Sequence, residues 1–452
     1  MQTEIIIIVY FLFIVGIGVY SSFRIKKPDD YYVAGKKAGF VEVSGSLMAT
    51  ILGGSAILGT IELSQKTGWA AIWFLFSAAL GLFALVPVSK YVRRYGNYTL
   101  PELLGTFYGK KAETIASLII PLAWLGIVAA QIIASAKILS SFDFLTYQQA
   151  AVIAAVVFTV YTLLGGQHSI LKTDALQAVL IIAGLTVLLV RTIPAADKII
   201  YAPLKISALF NNSFGLVDLL VLILTYSVTF VVGPDIYSRV FCARNEKTAA
   251  RSVISVAALL IPISFGLTYL GVISAGSETG IVSFAEYLLP PWAYGLFLAA
   301  LLSAVMSSAD TTLLTSSMIL SELFTGSLKH EKSLRLTRFL IVGMGMASLI
   351  VALYITSIIQ ALLLALSFFS GAFVVPTLAG LLQINVNKKN VALAMIFGGL
   401  VALSGNLVNE FSHSLAGNLL IAFAYIVNGF LLFWQRNLTP AEQSSNIKNI
   451  AK

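Results

Sequence analysis

The sequence predicts an all-α integral membrane protein with about thirteen transmembrane helices. Three observations predict it. Hydrophobic residues make up 58% of the 452 positions and charged residues only 11%, where a soluble domain carries about 25% charged residues. Many apolar runs reach the roughly 20 residues that span a hydrocarbon core of about 30 Å. The runs also lack the alternation of barrel strands, so helices must satisfy their backbone in lipid.

The elements follow in order. Glu4–Phe23 has no basic start and no small-residue cleavage site, and basic residues follow it, so it reads as a retained helix and not as a signal peptide. The next spans are Phe40–Leu63, Trp69–Val92, Thr114–Leu139, Gln149–Leu164, Leu171–Ile193 and Gly215–Val240. Ser252–Ala275, Pro291–Ile319, Leu336–Tyr354, Ile358–Leu382, Val391–Val408 and Leu415–Trp434 complete them. The connections are short, the longest running from about Pro194 to Phe214, and the tail after Trp434 is polar.

Charge fixes the expected orientation. With the N-terminus outside, one set of loops holds Lys26, Lys27, Lys36, Lys37, Arg93, Arg94, Lys110, Lys111 and most later basic residues. The opposite loops hold only Lys66, Arg191, Lys198 and Lys205, with Lys137 near the outer end of a helix. The positive-inside rule then puts the N-terminus outside and the C-terminus in the cytoplasm of a cell whose inner membrane carries the chain. The net charge of +9 is therefore a property of membrane-flanking loops, and no nucleic-acid partner is expected. The lone Cys242 excludes an intramolecular disulfide and a cysteine metal site, and the three histidines are far apart.

Polar residues inside apolar helices are costly and mark functional candidates. The first group is Ser303 to Thr312, in which Ala304, Ser307, Ser308 and Thr311 share one helical face. Hydroxyls and carbonyls are hard ligands for a small hard cation, and Asp310 adds a charge; the alternative is close packing of small residues. The second group is Ala49 to Ser55, where Gly53 and Gly54 can break a helix and free its carbonyls, as broken transporter helices do. A glycine packing contact is the alternative. The third is Lys172 to Gln177, where Asp174 either serves the site or caps a helix start. Glu62 reads as an outer helix end, Lys137 as a snorkelling cation, and Asp235 and Arg239 as a local i, i+4 pair. Trp124, Tyr226, Phe368 and Phe369 read as packing unless they border one cavity.

Five segments in order resemble the sodium:solute symporters, a family that includes proline, sodium/galactose and sialic acid transporters. They are Asp30 to Gly35, Thr99 to Glu102, Gly165–Gly166 followed by Thr173 to Gln177, Asp235 to Arg239 with Ala243–Arg244, and Ala304 to Ser308. The resemblance runs from Glu4 to about Trp434. It implies a LeuT-type 5+5 inverted repeat. Residues 1–39 would form an added helix and loop, 40–193 the first repeat, and 194–214 an extracellular loop. Residues 215–383 would form the second repeat, 384–434 two terminal helices and 435–452 a cytoplasmic tail.

The resemblance also implies a sodium site made by carbonyls of Ala49, Leu52 and Ala304 with hydroxyls of Ser307 and Ser308. Positions of a second cation site match Asp174, Ser307, Asp310 and Thr311. Asp310 stands where the sialic acid transporters carry a hydroxyl, which either strengthens that site or lets a proton replace sodium. The glutamine of the galactose transporter is Ala56 here, and the hydroxyls of the sialic acid transporters near Gly53 and Ala56 are absent. Neither specificity carries over. Gly53, Gly54, Ser55, Gln131, Thr225, Tyr226, Thr229, Phe368 and Ser370 are the expected solute pocket, with no charged anchor.

The expected function is sodium-driven uptake of a small organic solute by alternating access, with sodium as the bound ion and the lipid bilayer as the surroundings. A proton-coupled carrier or channel on the same scaffold is one rival, and a membrane sensor another. No nucleophile–base or metal constellation points to an enzyme.

Overall fold

The computed structural model describes residues 2–23, 27–96, 98–140, 145–192, 205–275, 280–355, 357–412 and 415–434. Much of the expected 194–214 loop and the 435–452 tail lie outside these. The described residues are helical apart from turns and two isolated bridges.

The chain begins with α1 (Gln2–Ser22) and a short α2 (Pro28–Val33). The expected second span is two helices, α3 (Phe40–Ile51) and α4 (Gly54–Thr67), interrupted at Leu52–Gly53. Paired glycines explain the break, since they add no side-chain contacts to hold a continuous helix. After α5 (Ile72–Tyr95) and α6 (Leu100–Tyr108) comes α7 (Lys110–Leu139). Thr99 caps α6 by accepting from the Glu102 amide.

The fifth and sixth expected spans are two helical runs that meet at a kink within α8 (Tyr147–Thr192). The expected loop between them shrinks to Gly166, whose φ of 54° and ψ of −176° break the helical path. A side chain there would also meet the Tyr31 ring at 2.5 Å. The second half opens with α9 (Leu216–Leu222), a wide π turn over Ile223–Ser227, α10 (Val228–Val232) and α11 (Pro234–Cys242). The break at Gly233–Pro234 follows from a proline that cannot donate an amide and restricts its predecessor. Then come α12 (Glu246–Ile273), α13 (Gly280–Leu288), α14 (Pro291–Thr325), α15 (Glu331–Tyr354), α16 (Ile358–Leu381), α17 (Val391–Ser412) and α18 (Leu415–Phe433).

Ten helices among the described residues are long and apolar enough to cross a membrane. At 42 and 46 residues, two of these paths are each about twice the roughly 20 residues of one crossing. Gly54–Tyr95 runs as one helical path across two expected spans, as does Tyr147–Thr192, and α1 contributes only the short apolar stretch Ile5–Ile14. Burial ranks the helices. Nearly all of α14 is buried, and α8, α7, α15 and α3 pack around it. Peripheral helices instead expose large apolar side chains, among them Leu122, Val156, Phe339 and Met346. In water such a surface would aggregate; in lipid it is the solvated face.

Candidate cation and solute site

The break at Leu52–Gly53 rests directly against the serine segment of α14. A Cβ on Gly53 would lie 2.1 Å from Ser308 Oγ, and one on Gly54 would lie 2.0 Å from Val305 Cγ2. These glycines are needed for closeness, not for an unusual φ. At the end of α3 the last turn leaves carbonyls without amide partners. Leu52 N donates to Met48 O, and Ala56 N and Ile57 N donate to Gly53 O, so no backbone amide reaches Ala49 O or Leu52 O among the described residues. The Ser308 hydroxyl donates to Thr50 O at 2.7 Å, and the buried Ser307 hydroxyl has no partner. Ala49, Leu52, Ala304, Ser307 and Ser308 are all buried at this junction.

One turn deeper lies a charged network centred on Arg239 of α11. Its Nη2 donates to Asp174 Oδ2 at 3.2 Å, to Thr50 Oγ1 at 2.9 Å and to Thr311 Oγ1. Its Nε donates to Ser46 Oγ at 3.0 Å, and Ser46 donates in turn to Asp174 Oδ2 at 2.5 Å. Its Nη1 donates to Ser238 Oγ at 3.0 Å and to the main-chain oxygen of Asp235 at 3.3 Å. Arg239 and Asp174 are completely buried. The expected local pair of Asp235 with Arg239 is therefore corrected: the guanidinium leaves the neighbouring carboxylate and crosses to α8. Asp174 does not act as a helix-start cap either, because α8 is continuous through it. Asp310 is buried beside Thr311, whose hydroxyl lies 3.4 Å from its Oδ1. Asp174 Oδ1 and Asp310 Oδ2 have no hydrogen-bond partner.

Beside the junction opens a small cavity of about 60 Å³. Ser55, Gln131, Tyr226 and Thr229 line it, as do Trp124, expected as packing unless it bordered a cavity, and Asp235, expected only in a local pair. Gln131 Nε2 donates to Ser55 Oγ at 2.7 Å, and Ser55 N donates to Gln131 Oε1 at 3.3 Å. The remaining expected pocket residues are absent from its lining. Gly53 and Gly54 are spent against α14. The Thr225 hydroxyl turns back to Val221 O and that of Ser370 to Ser367 O. Phe368 packs over Gly399 of α17, while the next ring, Phe369, meets Trp124 with centroids 4.7 Å apart. Two other discounted residues meet each other: Lys137 Nζ lies 2.6 Å from Glu62 Oε1, tying α7 to α4.

The signal for Arg239 was available, since an ionisable side chain inside an apolar run is a candidate by default. Its i, i+4 spacing to Asp235 offered a local partner that hid the distant one. No spacing rule brings Trp124 and Asp235 together, because they sit on α7 and α11.

The model of the sodium:solute symporter family matches residues 31–398. The chain belongs to the sodium:solute symporter family. It is similar to the sodium/pantothenate symporter of Escherichia coli strain K12, 25% identical over 435 residues, which cover 89% of this chain and 90% of the relative. It is also 25% identical to the sodium/proline symporter of Staphylococcus aureus strain JH9 over 379 residues, covering 77% and 73%. A solved sodium-coupled sialic acid symporter, captured substrate-bound and outward-open, superposes with a TM-score of 0.73 at 19% identity, covering 95% of this chain and 98% of that one. A manganese transporter from Eremococcus coleocola gives 0.59 at 16% identity, covering 88% and 93%. The fold is thus the LeuT type. This symporter is a multi-pass membrane transporter that couples sodium to solute uptake.

Proposed function

We propose that this symporter binds its driving sodium ion between the α3–α4 break and α14, through carbonyls of Ala49, Leu52 and Ala304 and hydroxyls of Ser307 and Ser308. The observation carrying this reading is that two partnerless carbonyls and a partnerless buried hydroxyl converge where the glycines press against α14. Sodium there ties the broken helix to α14 and favours the outward-open state, with the solute in the cavity lined by Ser55, Gln131, Tyr226 and Thr229. Solute closes the outer path and the inner path opens. The ion shifts this equilibrium only by its differential affinity for the two states.

A second cation is proposed among Asp174, Asp310, Ser307 and Thr311. Two buried carboxylates face one guanidinium, which leaves one negative charge to be met by sodium or a proton. Because Arg239 already engages Asp174 Oδ2 and Thr311, the open oxygens are Asp174 Oδ1, Asp310 Oδ2 and Ser307 Oγ.

One set of sodium titrations in proteoliposomes tests both sites. Ser307→Ala and Ser308→Ala are each expected to weaken sodium activation roughly tenfold to a hundredfold, as losing one partner in a buried site costs about 1–3 kcal/mol. Asp310→Asn is expected to lower the sodium Hill coefficient or flatten a pH dependence while sparing the first site. Unchanged sodium activation in both serine variants removes the first site, and wild-type cooperativity and pH profile in Asp310→Asn remove the second.

We also propose two inverted repeats, residues 40–193 and 215–383, and an inner-membrane location with the N-terminus outside and the C-terminus cytoplasmic. The supporting fact is the one-sided distribution of basic residues. Single cysteines at Lys111 and Lys332 in a Cys242→Ser background should react with an impermeant maleimide only in inside-out vesicles. Labelling of either in right-side-out vesicles reverses the orientation.

A further inference from the structure

Among the described residues, Asp235 is the only charged residue lining this cavity. Sequence spacing assigns Arg239 as its partner, yet that guanidinium reaches only the Asp235 main-chain oxygen, with its remaining donors spent on Ser46, Thr50, Asp174, Ser238 and Thr311. The Asp235 carboxylate makes no ion pair and no hydrogen bond to another side chain among the described residues. Among the described residues no lysine, arginine or histidine lines the cavity.

Three aromatic rings share the lining: Trp124, Tyr226 and Phe230. Their positions are set by packing behind them. Tyr226 stacks on Phe74 with centroids 4.2 Å apart and meets Phe230 edge-on at 5.0 Å, and Trp124 is braced by Phe369. The rings therefore keep the cavity open instead of collapsing into it. Ring faces attract cations through their quadrupoles, and the attraction grows when water is excluded. A carboxylate beside aromatic walls is the chemistry that recognises an organic ammonium group.

Charge balance points the same way. Asp174, Asp235 and Asp310 lie in or beside this region with Arg239 as the guanidinium among them. Arg239 and the second cation proposed above meet the charges of Asp174 and Asp310, which leaves Asp235 to a cationic solute, whereas an anionic solute would add a second unmet charge in a medium where unpaired charge is expensive.

We infer that Asp235 is the specificity-determining anchor of the solute site, and that the transported solute is a compact organic molecule presenting a cationic ammonium group to Asp235 and the Trp124, Tyr226 and Phe230 rings. This rests on the symport reading and names the solute class for the same cavity. The competing role for Asp235 is to favour the start of α11, where it is the second helical residue. Asparagine keeps the shape and can still accept backbone bonds, so charge and helix start can be separated.

The test is thermal unfolding of the full-length purified protein with and without sodium. Four probes of similar size are added in turn: tetramethylammonium, the primary amine isobutylammonium, tert-butanol and pivalate. Both ammonium ions are expected to raise Tm in sodium, and tert-butanol and pivalate are not. Asp235→Asn should weaken the ammonium effect roughly tenfold or more in apparent affinity, while Asp235→Glu retains part of it. Monodisperse elution of each variant checks folding. Equal stabilisation by tert-butanol or pivalate, a full ammonium effect in Asp235→Asn, or no ammonium effect while sodium still raises Tm each overturns the inference and leaves the symporter reading intact. Loss of any sodium effect in the unsubstituted protein would instead count against the sodium site itself.

Discussion

Replacing Arg239 by alanine is expected to be the most destabilising single change near the site. The guanidinium is fully buried and satisfies Asp174, Thr50, Ser46, Ser238 and Thr311 together. Removing it leaves Asp174 buried and uncompensated on α8, and losing one partner of a buried ion pair costs about 3–5 kcal/mol. Lysine should not rescue it, because a single ammonium on a flexible stem cannot reproduce the planar fork that reaches α3, α8 and α14 at once. The revealing variant is Arg239→Ala combined with Asp174→Asn, which removes the stranded charge. Thermal unfolding and the yield of monodisperse protein should be worst for Arg239→Ala alone and partly restored in the double variant. Additive losses in the double variant would show that Arg239 and Asp174 do not depend on each other. Arg239→Ala as stable as the unsubstituted protein would show that the guanidinium network contributes nothing to stability.

That network also marks where sequence reasoning stops. Helix existence was legible because apolar length is a one-dimensional property, and α7, α12, α14, α15 and α16 follow the expected spans closely. The α3–α4 break was legible because Gly53–Gly54 is a local feature with a local consequence. The tightness of the turn at Gly166 was not: one glycine with positive φ breaks the helix between two spans without forming the loop that an interval of polar and small residues implies. Arg239 was misassigned because i, i+4 spacing describes only one helix surface, while its carboxylate partner is 65 positions away in the chain. The lining of the cavity beside the junction was half legible. Ser55, Gln131, Tyr226 and Thr229 were anticipated, but the choice between Phe368 and Phe369 depends on how α16 is rotated against α7 and α17. That rotation is set by packing, and no local pattern encodes it.

Gly54→Ala is the second large effect, and it tests the closeness on which the proposed sodium site depends. A Cβ at Gly54 would fall 2.0 Å from Val305 Cγ2 and 3.1 Å from Val305 Cβ. The first contact is impossible without movement, and α14 is enclosed by other helices and has little freedom to yield. The start of α4 must therefore move away, taking Leu52 from Ser307 and Ser308. Overpacking of this kind costs about 1–3 kcal/mol, and if most of it falls on the sodium-bound state, sodium affinity drops roughly tenfold or more. Val305→Ala removes the clashing methyl and leaves the contacts with Cβ at 3.1 Å and Cα at 3.3 Å, so Gly54→Ala with Val305→Ala should recover much of the lost affinity. Val305→Ala alone should change sodium activation little, since that side chain is apolar and donates no ligand. Sodium-dependent quenching of tryptophan fluorescence, or sodium activation of uptake, measures all three. An unchanged sodium response in Gly54→Ala would mean that the break can retreat from α14 without consequence, and the ion would then have to bind elsewhere.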